Sequence, residues 1–332
     1  MSSQPSRSGL QTLSLSTVVP PATNRTLLLL SFASVYILWG STYFAIRIGV
    51  ESVPPYLMAG IRHLAVGLLF YPAVRWKTRE KPTWPQWRTA FIVGCLLLGV
   101  GNGTVSWAEQ TVPSGIAALL VATVSLWMVL LDWLRPGGLR PAPRVLAGFL
   151  LGFAGMALLV GPKHLGNSER VSPIGALALI AASLAWASGS IFSRHHPLPR
   201  SPLLSMAMQA LSGGTMLCIF AVLSGETRHF RLAQVSRSSW FALAYLIIFG
   251  SAIGFSAYVY LLKHSTAAHV ATYAFVNPVV ALLLGWSLAS EPLSVRTLLA
   301  SAVILTAVIL VITAPHKTPR EVEESVPVPG EA

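Results

Sequence analysis

The sequence predicts an all-α membrane protein, with ten transmembrane helices built as two inverted five-helix repeats. Three observations predict it. Of 332 residues, 54% are hydrophobic and only 10% charged, against about 25% charged in a soluble domain, so lipid is the main solvent. Ten apolar runs are long enough to cross a hydrocarbon core about 30 Å thick at 1.5 Å rise per residue. Finally, residues of the first half recur in order in the second half at a nearly constant offset.

In chain order, Met1 to Asn24 is polar and Ser-rich, with Arg7 as its one charge, and residues 1–25 read as a disordered cytoplasmic tail. The run after Arg25 is too long for a secretory signal and carries no small-residue cleavage site, so it reads as an uncleaved first helix. Runs bounded by charge, Pro and Gly place the first five spans near 27–46, 56–74, 89–108, 114–134 and 145–161. The second five fall near 174–193, 203–224, 240–262, 267–288 and 297–314. The two repeats occupy 26–162 and 173–314, and residues 315–332, rich in Glu and Pro, form a second disordered tail. Helices are the expected form because lipid-facing backbone must bond internally, and no ten-residue alternation suggests a barrel.

The net charge of +12 does not point to nucleic acid, because the 23 Lys and Arg lie scattered between apolar runs. Fifteen fall on the face shared by the tails and seven on the other, and the positive-inside rule then puts both termini in the cytoplasm. Cys95 and Cys218 sit inside apolar runs as small hydrophobic residues, with no disulfide framework and no metal spacing. No stretch remains for a soluble domain, so any binding happens inside the bundle or at its mouths.

The repeat is read from residues. Trp39, Ser41 and Arg47 return as Trp186, Ser188 and Arg194 at an offset of 147, which also carries Arg62 onto Gln209 and Gly67 onto Gly214. An offset of 151 superposes Gly99, Gly103 and Trp107 on Gly250, Gly254 and Tyr258, and 152 carries 122–128 onto 274–280. Five spans per copy, an odd number, make the second copy enter the membrane upside down. Two such copies can exchange conformations, which suits alternating access around a central site. The bland alternative is duplication that only stabilises a bundle, as in a membrane-embedded enzyme or lipid-handling factor. Such an enzyme should carry paired acids or a nucleophile with its base inside the spans, and none is seen. A channel should show ring-forming charged or carbonyl motifs, also unseen.

The strings WGSTYFAIRIGVES at 39–52, MAGIR at 58–62, VGNGTVSWAE at 100–109, VPSGIAALLVAT at 112–123 and YAFVNPVVALLLG at 273–285 resemble the EamA family of the drug/metabolite transporter superfamily, in particular its YedA-type bacterial inner-membrane members. The resemblance covers about Thr26 to Ala314. It implies ten helices in two EamA units and export of small organic metabolites, amino acids or related compounds, or drugs, with import or exchange on the same fold as the alternative. The family commonly ends its fourth and ninth helices with a carboxylate. Glu291 fits the ninth, whereas only Asp132 lies near the fourth, and Trp127 replaces a smaller residue. Asn277 and Pro278 predict a kink in the ninth helix; Ser125 and Leu126 at the matching positions predict a straighter fourth.

The candidate site is a small-molecule one. Arg62 is the one basic residue clearly inside a span, about 10 Å deep, and is the first candidate for holding a carboxylate. Its structural alternative is pairing with Glu109 or Glu51, or snorkelling. Gln209 is its polar counterpart. Trp39, Ser41 and Tyr43 of the first helix and Trp186 and Ser188 of the sixth offer aromatic walls with directed polar groups, with Tyr258 of the eighth beside them. Asn102, Tyr273 and Asn277 are polar at depths that turn them inward, towards substrate or towards a neighbouring helix. His269 is a candidate proton carrier, with a hydrogen-bonding role near a helix start as the plainer reading. The spaced glycines 99, 101 and 103, with 148 and 152, suit close helix packing. No GxxxxGK[ST] loop occurs, so ATP drive is not expected, and facilitated exchange stands beside proton antiport. The expected partners are a small-molecule substrate and membrane lipid, with no nucleic acid, no cofactor, no metal and no enzymatic role; a homodimer is compatible with this reading.

Overall fold

The computed structural model describes residues 25–136, 142–160, 172–228, 230–265, 270, 272–291 and 293–313. The two expected tails, Lys163, Arg170 and His269 lie outside them. Every regular element among the described residues is helical. Seven helices are long and apolar enough to cross a membrane. They are α1 (Arg25–Gly49), α2 (Pro55–Thr78), α3 (Trp84–Ala108), α4 (Ser114–Leu134), α6 (Pro173–His195), α7 (Pro202–Leu223) and α8, whose apolar part is Arg237–Tyr258. Three apolar helices are shorter: α5 (Pro143–Val160), α9 (Tyr273–Ala289) and α10 (Val295–Ile312).

Local chemistry sets the starts. Pro occupies the first turn of α2, α3, α6 and α7, where its missing N–H costs nothing. Ser172, Ser201, Ser236 and Ser294 accept from the N–H of Gly175, Leu204, Ser239 and Thr297, respectively. At α3 the Thr83–Gln86 capping box begins the helix at Trp84, five residues before the expected 89. Likewise α1 runs through Arg47 to Gly49 and α2 through Arg75 and Lys77 to Thr78. Basic residues in a last turn favour the carbonyl end of a helix, so charge did not end these spans.

Hydrogen bonds sort the helix ends into two faces. On one, Glu80 accepts from the N–H of Arg200 and Ser201, Arg135 meets His195, and Arg144 donates to Thr313. On the other, Ser52 meets Ser236, Glu226 accepts from Tyr56 and Leu57, and Glu291 accepts from Ser114. The first face carries the exposed Trp76 and Trp84 beside Arg75, Lys77, Arg79 and Lys81, as at a membrane interface.

At the centre, α2 packs along α7 in the opposite direction. Glu80, just past the end of α2, caps the start of α7 at 2.9–3.0 Å, and Glu226, just past the end of α7, caps the start of α2 at 3.0–3.3 Å. Contacts midway are reciprocal too. A Cβ added at Gly67 would lie 2.7 Å from Leu211 N, and one at Gly214 2.6 Å from Leu64 N. Helices α3 and α8 both widen into π-helical stretches, Cys95–Asn102 and Leu246–Ile253, whose ends differ by the 151 residues of the sequence repeat.

The expectation of a straighter fourth helix is not met. Helix α9 runs unbroken from Tyr273 to Ala289 with Pro278 inside it. The interruption lies in α4, whose segments Ser114–Ala122 and Val124–Leu134 meet at Thr123. Thr123 Oγ1 and Ser183 Oγ both donate to the carbonyl of Leu120, serving backbone that the break leaves under-bonded. Helices α5 and α10 pack on each other, where Gly148 admits Val311 and Gly155 admits Ile304, while Gly152 admits Leu126 of α4.

Candidate functional site

A cavity of about 90 Å³ lies inside the bundle and is lined from α1–α4 and α6–α9. Helix α1 supplies Trp39, Tyr43 and Ile46; α2 supplies Arg62, His63 and Val66; α3 supplies Leu98, Gly101, Asn102 and Val105. Helix α6 adds Trp186, α7 adds Met206 and Ala210, α8 adds Gly250, Ser251 and Phe255, and α9 adds Tyr273, Ala274 and Asn277.

Arg62 is 4% exposed, and its Nε donates to Ser251 Oγ at 2.7 Å. Gly250 lacks the Cβ that would stand 3.0 Å from Arg62 Nη2, so the π-helical stretch of α8 makes the berth for the guanidinium. Among the described residues neither Glu109 nor Glu51 forms an ion pair with Arg62, which lines the cavity. His63, 5% exposed, and Asn102 both line the cavity, and His63 Nε2 and Asn102 Oδ1 are buried without a hydrogen-bond partner. Cation, imidazole and amide thus form one polar wall.

Aromatic rings pack beside it. The Trp39 ring centre is 4.9 Å from that of Tyr258, 5.4 Å from Tyr273 and 6.3 Å from Trp186, the last two edge to face. Trp39 Nε1 donates to Gly250 O at 3.1 Å, and a Cβ at Gly254 would lie only 2.7 Å from that nitrogen. With its amide nitrogen turned towards α1, Asn277 donates to the carbonyls of Val35 and Tyr36 at 3.3 and 3.1 Å, where α1 has its own π-helical stretch, Val35–Trp39.

Of the residues singled out from sequence, Trp39, Tyr43, Arg62, Asn102, Trp186, Tyr273 and Asn277 meet at this cavity. Four do not line it. Ser41 bonds Leu38 O and Tyr245 Oη, which ties α1 to α8. Ser188 turns back to Leu184 O, and Gln209 donates to Ser205 within its own helix. Tyr258 sits behind Trp39 as packing. His63, Ser251 and Met206 were missed. For His63 the signal was available, since an ionisable side chain inside a span is a site candidate whatever its type.

A second, open depression lies on the face of Glu226 and is lined by Phe44, Arg47, Glu51, Gln110, Thr111 and Glu291 among others. Between the two cavities stands Glu109, 0% exposed, with both carboxylate oxygens unpartnered. Its backbone carbonyl accepts from Arg47 Nη1.

A helical bundle with a partly open central cavity lined by both halves, a buried arginine and aromatic rings beside it suits a membrane transporter. The chain belongs to the EamA-like transporter family, whose profile matches it twice, over residues 26–161 and 173–313. It is 41% identical over 279 residues to the "Uncharacterized inner membrane transporter YedA" of Escherichia coli K12, covering 84% of this chain and 88% of that protein. The "Uncharacterized transporter YvbV" of Bacillus subtilis is 29% identical over 87% of this chain and 92% of its own. The "Probable amino-acid metabolite efflux pump" of E. coli K12 is 25% identical over 82% and 90%. One solved crystal structure, 22% identical, shares the fold with a TM-score of 0.60 over 86% of this chain and 96% of its own.

Proposed function

We propose that the protein is a secondary exporter of small organic metabolites across the bacterial inner membrane, working by alternating access with both termini in the cytoplasm. The observation that carries this reading is the buried Arg62 at a cavity lined by four helices of each family repeat. Such a cation suits a carboxylate, and the neighbouring aromatic rings suit an apolar or cationic remainder, as in an amino acid. The efflux role of one relative agrees with this.

All ten helices cross the membrane in this reading, the 17–18-residue α5, α9 and α10 at the short end of what spans. The reciprocal caps of α2 and α7, and the paired wide stretches of α3 and α8, support two oppositely inserted copies of one unit. The cavity is smaller than the roughly 300–1,000 Å³ that encloses drug-sized ligands, so cargo enters with helix movement.

Counterflow in proteoliposomes across amino acids, nucleosides and cationic dyes tests the reading; no solute-dependent flux with folded protein would end it. Within that assay Arg62→Lys raises the transport KM of carboxylate-bearing cargo about tenfold or more, the worth of a charged hydrogen bond, and leaves neutral and cationic cargo nearly unchanged. An unchanged KM for carboxylates returns Arg62 to a structural role.

A further inference from the structure

Glu109 is a buried acid without a use so far. It is fully buried one residue past the end of α3, and neither oxygen has a hydrogen-bond partner. Val105, one turn earlier, lines the central cavity, and Gln110 and Thr111, next along the chain, line the outer depression. Glu109 therefore stands in the wall between them. Charged and titratable groups face it from both sides: Tyr43 and Arg62 from the cavity, Arg47 and Glu291 from the depression. Tyr56 of α2 packs on α3 one and a half turns below, at Gly103, and is 3.3 Å through its N–H from Glu226. On α6, the residues at this level, Gly175, Ala176 and Leu179, carry no charge. An unpartnered carboxylate cannot stay ionised here, and burial together with Glu291 pushes the Glu109 carboxyl well above its ordinary range, against the pull of Arg47 and Arg62.

We infer that Glu109 is a protonatable gate in the wall between the central cavity and the outer depression. With the wall closed, the carboxyl keeps its proton. When the wall opens, the O–H bond breaks, the proton passes to water in the depression, and the carboxylate is met by the guanidinium of Arg47, which already reaches the same residue's carbonyl. One proton is exchanged per opening. That opening moves cargo rests on the transport reading above; the gate itself rests on the geometry of Glu109 and its neighbours.

The test uses the full chain with Cys95→Ala and Cys218→Ala and a reporter, Ala118→Cys, in the outer part of the cavity wall. Intact cells are treated with a membrane-impermeant thiol reagent between about pH 6 and pH 9. Rates are divided by those of an Arg228→Cys reporter on the exposed loop, which removes the thiol's own ionisation. In the parent chain the ratio climbs with pH, by up to about tenfold per unit across the titration of one proton. Glu109→Gln holds the ratio flat at its low-pH value, and Glu109→Asp keeps the rise with a displaced midpoint. An identical rise in the Gln variant, or no rise in the parent, overturns the gate. Should the Gln variant fail to fold, the Asp midpoint decides, and an unmoved midpoint overturns it. No cargo enters this assay, so a pH-gated reporter without counterflow removes the transport reading alone, and counterflow without a Glu109-dependent rise removes the gate alone.

Discussion

The residue whose burial dominates the site's electrostatics is Glu109, and its stability effect has a definite sign. Its carboxyl is raised from the ordinary 4.5, so the folded state prefers the protonated form. The stability tied to that preference is fully present below about 4.5 and is lost as pH rises towards the folded value. Glu109→Gln keeps the shape and removes the dependence. Its thermal midpoint in detergent therefore matches the parent in acid and exceeds it increasingly as pH rises; a constant difference across pH would show that ionisation is not involved. Sequence pointed to Glu109 only as a partner for Arg62. What it could not provide was the empty hydrogen-bond shell, since whether two oxygens are solvated or orphaned depends on which helices close over them.

Among elements, the two carboxylates set against the ends of the fourth and ninth helices look alike in sequence and differ in role. Glu291, past α9, reaches the start of α4, accepting from Ser114 N and Oγ at 2.9 Å and from Gly115 N at 3.4 Å. Asp132 near the end of α4 pairs only with the neighbouring Arg135, both substantially exposed. Glu291→Ala removes a charged cap and costs about 1–2 kcal/mol of unfolding free energy, whereas Asp132→Ala stays within about 0.5 kcal/mol. Denaturant titration in mixed micelles separates the two, and equal losses would reject the assignment of the cap. The existence of the long helices was readable because their apolar runs are uninterrupted. Their ends were less so, because a lysine or arginine in a last turn does not stop a helix and the Thr83–Gln86 box can start one before the apolar run begins. The break at Thr123 carries no Pro or Gly to announce it; Ser183 on another helix supplies part of its support.

For the whole molecule, the reading of opposite insertion has a direct test. Lys81, in the loop that holds Glu80, and Arg228, in the loop that holds Glu226, occupy matching places in the two repeats at an offset of 147. Lys81→Cys is expected to react with an impermeant reagent only in inverted vesicles, and Arg228→Cys in intact cells. Labelling of both from one side would defeat opposite insertion. The offset of 147 matched Gly67 to Gly214, and the structure sets these two glycines against Leu211 and Leu64, because side-chain-free surface at those points is what lets two backbones touch. The same offset failed for Ser41, Ser188 and Gln209, since a hydroxyl or amide inside a span is as well satisfied by its own helix or a neighbour as by cargo.

The mutual capping of α2 and α7 also bears on how the chain is assembled. Each of these helices begins with N–H groups that nothing in its own half answers, and the acid that answers them is made as part of the other half. During synthesis α2 enters the bilayer long before Glu226 exists, and it waits with an incomplete first turn until the second half arrives. Each copy therefore supplies the cap at which a helix of the other begins.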